Sequence, residues 1–179
     1  QKAQTGDTTE DDYIRIIYNK TASLFEAACL SAAVSVGADA AAEKAAADYS
    51  VALGLAFQIA DDWLDTYADP KVFGKAIGGD ILNNKKNWLM TRAFEKASAS
   101  IRQELLSAMS MPIETEKQKA AKIKATKDIY AELGLDEEAK QEIQRLHSQA
   151  MDHINVLNLP KEKADTLRNY AAALIGRNK

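Results

Sequence analysis

Apolar residues recur along this chain at helical spacing, and no segment alternates with period two for long enough to make a strand. Thr9 and Asp12 form a helix-start pattern, a capping residue with an acid three positions on. This predicts a helix from Glu10 to about Val36, which Gly37 ends. Asp39 then caps a second helix that runs to about Tyr67, where Asp69-Pro70 stops it. At 1.5 Å per residue that helix is roughly 40 Å long. A loop of about a dozen residues with Gly74, Gly78 and Gly79 follows. Further helices are predicted over 84–97, 99–110, 114–133, 136–157 and 161–175, separated by Met111-Pro112, Gly134 and Leu159-Pro160. The pattern is all-α: a bundle of about seven helices in a single domain over 1–179, with residues 1–8 as a polar tail.

Composition agrees with long helices. Alanine is abundant, aromatics make up 7%, and there are eight glycines and three prolines in 179 residues. A net charge of −3 gives no general pull toward nucleic acid or acidic lipid. The lone cysteine, Cys29, rules out an internal disulfide, and no apolar run reaches membrane-spanning length. The N-terminus has no signal-peptide pattern, so a soluble cytoplasmic protein is expected.

The second helix carries the first candidate chemistry. With Asp61 at zero on a helical wheel, Gly54, Asp65, Gln58 and Asp62 fall within about 100° of it, and nearly everything else from Leu53 to Tyr67 is apolar. Burying three carboxylates costs several kcal/mol unless something compensates. A hard divalent cation does so, and Mg²⁺ is usually held by one or two carboxylates with phosphate oxygens and water. Gly54 would leave room beside them. An acidic stripe facing solvent is the competing reading.

Two cationic features accompany the stripe. Lys20 falls midway across the apolar face of the first helix, between Tyr13, Ile16, Ile17, Leu24 and Ala27, where its charge calls for an anionic partner. A lysine that snorkels its amine to water is the alternative. The loop FGKAIGGDILNNKK sets Lys75 among glycines before a helix start that Asp80 or Asn83 would cap. Glycines and free N–H groups at a helix start favour phosphate, although the spacing is not that of a P-loop.

Lys20-Thr21, then Phe57-Gln58-x-x-Asp61-Asp62-x-x-Asp65, then Gly74-Lys75-x-x-Gly78-x-Asp80-Ile81 with Lys85, in this order, resemble the trans-isoprenyl diphosphate synthases of the polyprenyl synthetase family. The match covers about residues 9–95. It implies the C-terminal half of the isoprenoid synthase fold. It also implies an enzyme that condenses an allylic diphosphate with isopentenyl diphosphate, as a homodimer. By resemblance, Asp61, Asp62 and Asp65 are Mg²⁺ ligands, and Lys20, Lys75 and Lys85 are donors to the diphosphate. Lys20, Thr21 and Gln58 lie beside the departing group and the developing cation.

Family members carry an earlier aspartate-rich motif and earlier basic residues, and nothing before Asp61 matches them. A C-terminal half lacking full activity alone is therefore expected, with exposed apolar helix faces that favour dimerisation. Three other functions stay open: a class I terpene cyclase, a non-catalytic regulatory subunit of a prenyl synthase, and a plain helical interaction domain. His147 and His153 do not share a helix face for metal. The basic run KQKAAKIKATK reads as a solvated helix face, and Trp63 and Trp88 as core.

Overall fold

The computed structural model describes residues 8–69 and 77–176. These residues form helices joined by short turns, with no strand among them. In chain order the helices are α1 (Glu10–Ile17), a π-helical turn (Tyr18–Ala22), α2 (Ser23–Ser35), α3 (Ala40–Tyr67), α4 (Gly79–Leu82), α5 (Trp88–Lys96), α6 (Ala99–Met109), α7 (Glu116–Glu132), α8 (Leu135–Val156) and α9 (Lys161–Ile175). The all-α expectation holds.

Local chemistry explains most boundaries. The Asp12 amide donates to Thr9 Oγ1 at 3.2 Å, and the Thr9 amide to Asp12 Oδ2 at 3.4 Å, so the expected reciprocal cap forms. Asp39 Oδ1 accepts the Ala42 amide at 2.8 Å and starts α3. Gly37 turns the chain at φ +70°, a left-handed value that favours glycine. Thr115 and Gln118 build a second reciprocal cap at the start of α7.

Two predictions about helices need correction. The first predicted helix is interrupted by the π turn, whose i→i+5 ladder shifts the phase of the side chains. A uniform wheel puts Lys20 on the apolar face, and the structure leaves it exposed. A separate single turn, α4, falls within the predicted loop, and the helix predicted over 84–97 is the shorter α5 that follows it, Trp88–Lys96. Its cap is Asn87, whose side chain accepts the Met90 amide at 3.0 Å, rather than Asp80 or Asn83.

The helices group into two compact units. One takes in the described residues up to Tyr13 together with Asp61–Ala139. Its core includes Trp88, Leu89, Phe94, Leu105, Tyr130 and Leu135. Arg92 pairs there with Glu10 at 2.9 Å, Glu95 at 2.6 Å and Glu138 at 2.7 Å, and the Glu10 amide donates to Glu95 Oε1 at 2.7 Å. These contacts tie the start of α1 to α5. The other unit takes in Ile14–Ala60 and the described residues from Lys140 on. Its core gathers Tyr49, Leu53, Ala150, Ile154, Ala164 and Ala171, with the Tyr49 hydroxyl donating to Leu167 O at 3.1 Å.

Candidate active site

In the first unit, Asp61, Asp62 and Asp65 occupy the last turns of α3 and differ sharply in environment. Asp62 is 2% exposed. Its Oδ2 accepts the Tyr13 hydroxyl at 2.7 Å and the Trp88 amide at 3.0 Å, and Oδ1 lies 3.6 Å from Lys85 Nζ. Burial raises its pKa above the usual carboxylate range, while the Tyr13 hydroxyl, the Trp88 amide and Lys85 pull it back. Asp61 and Asp65, one helical turn apart, are only partly buried.

The expectation of three buried acids needing a cation is therefore revised. Only Asp62 is fully withdrawn from water, and protein donors meet it there. Among the described residues, no three acidic, histidine or cysteine side chains converge closely enough to hold a metal by themselves.

Asp65 organises the chain that follows. Its carbonyl accepts the Gly78 amide at 2.6 Å, and its Oδ2 accepts the Asp80 amide at 2.8 Å. Burial raises its pKa, and the Asp80 N–H works against that rise. Those two amides are thus engaged by Asp65, instead of standing free for phosphate as the loop sequence suggests. Gly78 has φ +82°, a left-handed turn that leads straight into α4.

Asp80 Oδ2 in turn accepts Lys85 Nζ at 2.8 Å and Asn87 Nδ2 at 3.1 Å. Burial lowers the Lys85 pKa, but the hydrogen bond to Asp80 and the charges of Asp62, Asp80 and Asp61 outweigh it, and the net shift is upward. Lys85 therefore stays cationic. The charges of Asp61, Asp62, Asp65 and Asp80 all act on this one ammonium, so the surroundings of Lys85 carry an excess of negative charge.

The second unit holds the other candidate residues that the structure describes. Thr21 Oγ1 donates to Gln58 Oε1 at 3.1 Å, and Gln58 is buried. This pairing joins the π turn to α3. Gly54 allows it: a Cβ there would lie 2.7 Å from Ala22 Cα and 2.9 Å from Ala22 Cβ. The space at Gly54 is filled by the π turn, so it does not serve the carboxylates as the wheel suggested. Lys20, in the same turn, is exposed. Lys75 and Gly74 lie outside the described residues.

Sequence reasoning missed Tyr13, Asp80 and Asn87 as members of the cluster. Tyr13 looked like one more residue on an apolar face, and its hydroxyl gave no signal of its own. Asp80 stands in the loop motif, where its place before a helix marks it as a cap and gives no sign of a partner in Lys85. Asn87 stands just before an apolar run, the usual mark of a cap, which it is. Trp63, expected in the core, is half-buried and donates through Nε1 to Asp136 Oδ1 at 2.7 Å.

Comparison with known proteins adds the lineage. Residues 1–129 match the family model for polyprenyl synthetases. The chain belongs to the polyprenyl synthetase family. A short chain isoprenyl diphosphate synthase from Methanothermobacter thermautotrophicus is 35% identical over 166 residues, which are 93% of this chain and 46% of the relative. A geranylgeranyl pyrophosphate synthase crystal structure superposes with a TM-score of 0.86 at 31% identity, covering 98% of this chain and 54% of that one. The geranylgeranyl pyrophosphate synthetase of Pyrococcus horikoshii gives 0.83 at 28% identity, covering 97% and 51%. The chain thus spans about half the length of these polyprenyl synthetase relatives, and the likeness to the all-α fold of trans-prenyltransferases extends over nearly all of it.

Proposed function

We propose that this chain supplies the Mg²⁺- and diphosphate-binding half of a trans-prenyltransferase that lengthens an allylic diphosphate with isopentenyl diphosphate. The arrangement of Asp61 and Asp65 beside the Asp62–Lys85–Asp80 network carries the proposal. Asp61 and Asp65 would hold Mg²⁺ through carboxylate oxygens, with diphosphate oxygens and water completing the shell. When bound, the ion would offset the charge that collects on the departing diphosphate. Lys85, kept cationic by Asp80 and Asp62, is suited to a diphosphate oxygen or to balancing the acids when the ion is absent.

In the proposed reaction the allylic C–O bond breaks and its electron pair leaves with the diphosphate. The alkene of isopentenyl diphosphate forms the new C–C bond, and a proton is then lost. Lys20 and Lys75 keep the role of diphosphate donors that the resemblance gives them, with Thr21 and Gln58 as polar neighbours of the departing group. The proposed setting is the cytoplasm, as a homodimer. Among the described residues no helix is long and apolar enough to cross a membrane.

The test is thermal unfolding of the chain with Mg²⁺ and inorganic diphosphate. The expected result is a rise in melting temperature that needs both components and disappears in Asp61→Asn. Unchanged melting with both present would overturn the site reading.

A further inference from the structure

The basic run on α7, which the sequence presents as a solvated face, includes two lysines that turn inward. Lys122 is 2% exposed. Its Nζ donates to Met109 O at 3.0 Å and to Leu82 O at 3.4 Å. Leu82 is the last residue of α4 and Met109 the last of α6, so a single ammonium serves two helix ends whose carbonyls have no helical partner. Asn84, at φ +51°, adds its Nδ2 to the same Met109 oxygen at 3.1 Å. Lys127 Nζ donates to Thr66 O at 3.1 Å and sits 5.2 Å over the Tyr67 ring. Between them, Ile123 fills the space at Gly78, where a Cβ would lie 2.7 Å from its Cδ1.

Thr66 follows Asp65, Gly78 begins the turn bound by Asp65, and Leu82 closes the turn that carries Asp80, three residues before Lys85. One stretch of α7 thus grips the carboxylate cluster at three main-chain points. We infer that α7 positions the Asp65–Asp80–Lys85 constellation, with Lys122 as its principal positioning residue and Lys127 as the second. The inference rests on reading that cluster as the Mg²⁺–diphosphate site.

Lys122→Met keeps the aliphatic stem and removes the donor. Lys124→Met, on the same helix but exposed and paired with Asp128 at 2.6 Å, serves as the control. Two readouts are taken on the full chain. The first is the Mg²⁺ concentration that gives half of the thermal shift at fixed inorganic diphosphate. It should rise about tenfold in Lys122→Met and stay unchanged in Lys124→Met, the scale typical of groups that orient metal ligands. A merely structural lysine would lower the melting temperature but leave that concentration alone. The second is hydrogen exchange at the Gly78 and Asp80 amides, which should quicken while amides inside α5 stay protected. If the parent chain itself shows no shift, the functional reading fails, and the exchange data still decide whether Lys122 holds the turn. Unchanged exchange at both amides, or an equal rise throughout α5, overturns the inference. So does a folded Lys122→Met with the parent's Mg²⁺ response.

Discussion

Asp62 is a carboxylate taken out of water, met by a phenol, a backbone amide and a lysine. Removing the phenol isolates part of that compensation. Tyr13→Phe should destabilise the chain by about 2 kcal/mol at neutral pH, the scale for a lost hydrogen bond to a buried charge. The pH dependence has a definite sign. Burial raises the Asp62 pKa, so the folded state holds its proton more tightly than the unfolded state does. The stability contributed is fully present below the ordinary carboxylate pKa and falls as pH rises through the raised value. Without the Tyr13 donor the rise is larger, so the loss should grow as pH rises above the ordinary carboxylate pKa. Urea unfolding of both proteins over that rise in pH checks it; a loss independent of pH would contradict the account. The wheel predicts that Asp62 lies beside Asp61 and Asp65, but it carries no information about which of three neighbouring acids is dehydrated. That depends on Tyr13 and Trp88, which are 49 and 26 residues away in sequence.

At the level of elements, Gly54 sets two ordinary expectations against each other. Replacing an interior helix glycine with alanine usually stabilises by about 1 kcal/mol. Here the new Cβ would press on Ala22 Cα, a main-chain atom that moves only with the π turn. Overpacking of this kind typically costs about 1–3 kcal/mol. Gly54→Ala should therefore lower the denaturation midpoint, and the Thr21–Gln58 hydrogen bond should be strained with it. A stabilised variant would show that the contact relaxes freely. Helix limits marked by caps, such as Thr9, Asp39 and Gly37, were legible in the sequence because each acts over three or four residues. The π turn was not, since nothing in YNKTA breaks helical spacing. Lys20 is exposed together with Ile16, Leu24 and Ala27 of its predicted face, because spacing does not say whether a face is covered. The single turn α4 was also hidden. Asp65 binds its Gly78 and Asp80 amides, Lys122 its Leu82 carbonyl, and Asn87 separately caps α5.

For the molecule as a whole, α2 is the outlying observation. It reads SLFEAACLSAAVS, and none of its residues is buried. Leu24 is 71% exposed, and Val36 just beyond it 81%. A helix apolar around most of its circumference is ordinarily covered. Concentration-dependent self-association of the chain is expected, weakened by Leu24→Gln with Val34→Gln, and sedimentation velocity would detect it. A strictly monomeric parent chain at all concentrations would count against it. Exposed apolar helix faces are expected from the likeness to half of a family member, but which helix bears them is not, because that is settled by what packs nearby.

The grip of α7 on its neighbours has a bearing on how such a chain drifts over generations. Lys122 and Lys127 donate to the peptide oxygens of Leu82, Met109 and Thr66, which every amino acid supplies alike. Replacements at those three sites that respect local packing leave the amines' acceptors in place, whereas replacing either lysine removes the donor itself. Descendants of this sequence should thus vary in the held residues and stay constant in the holders.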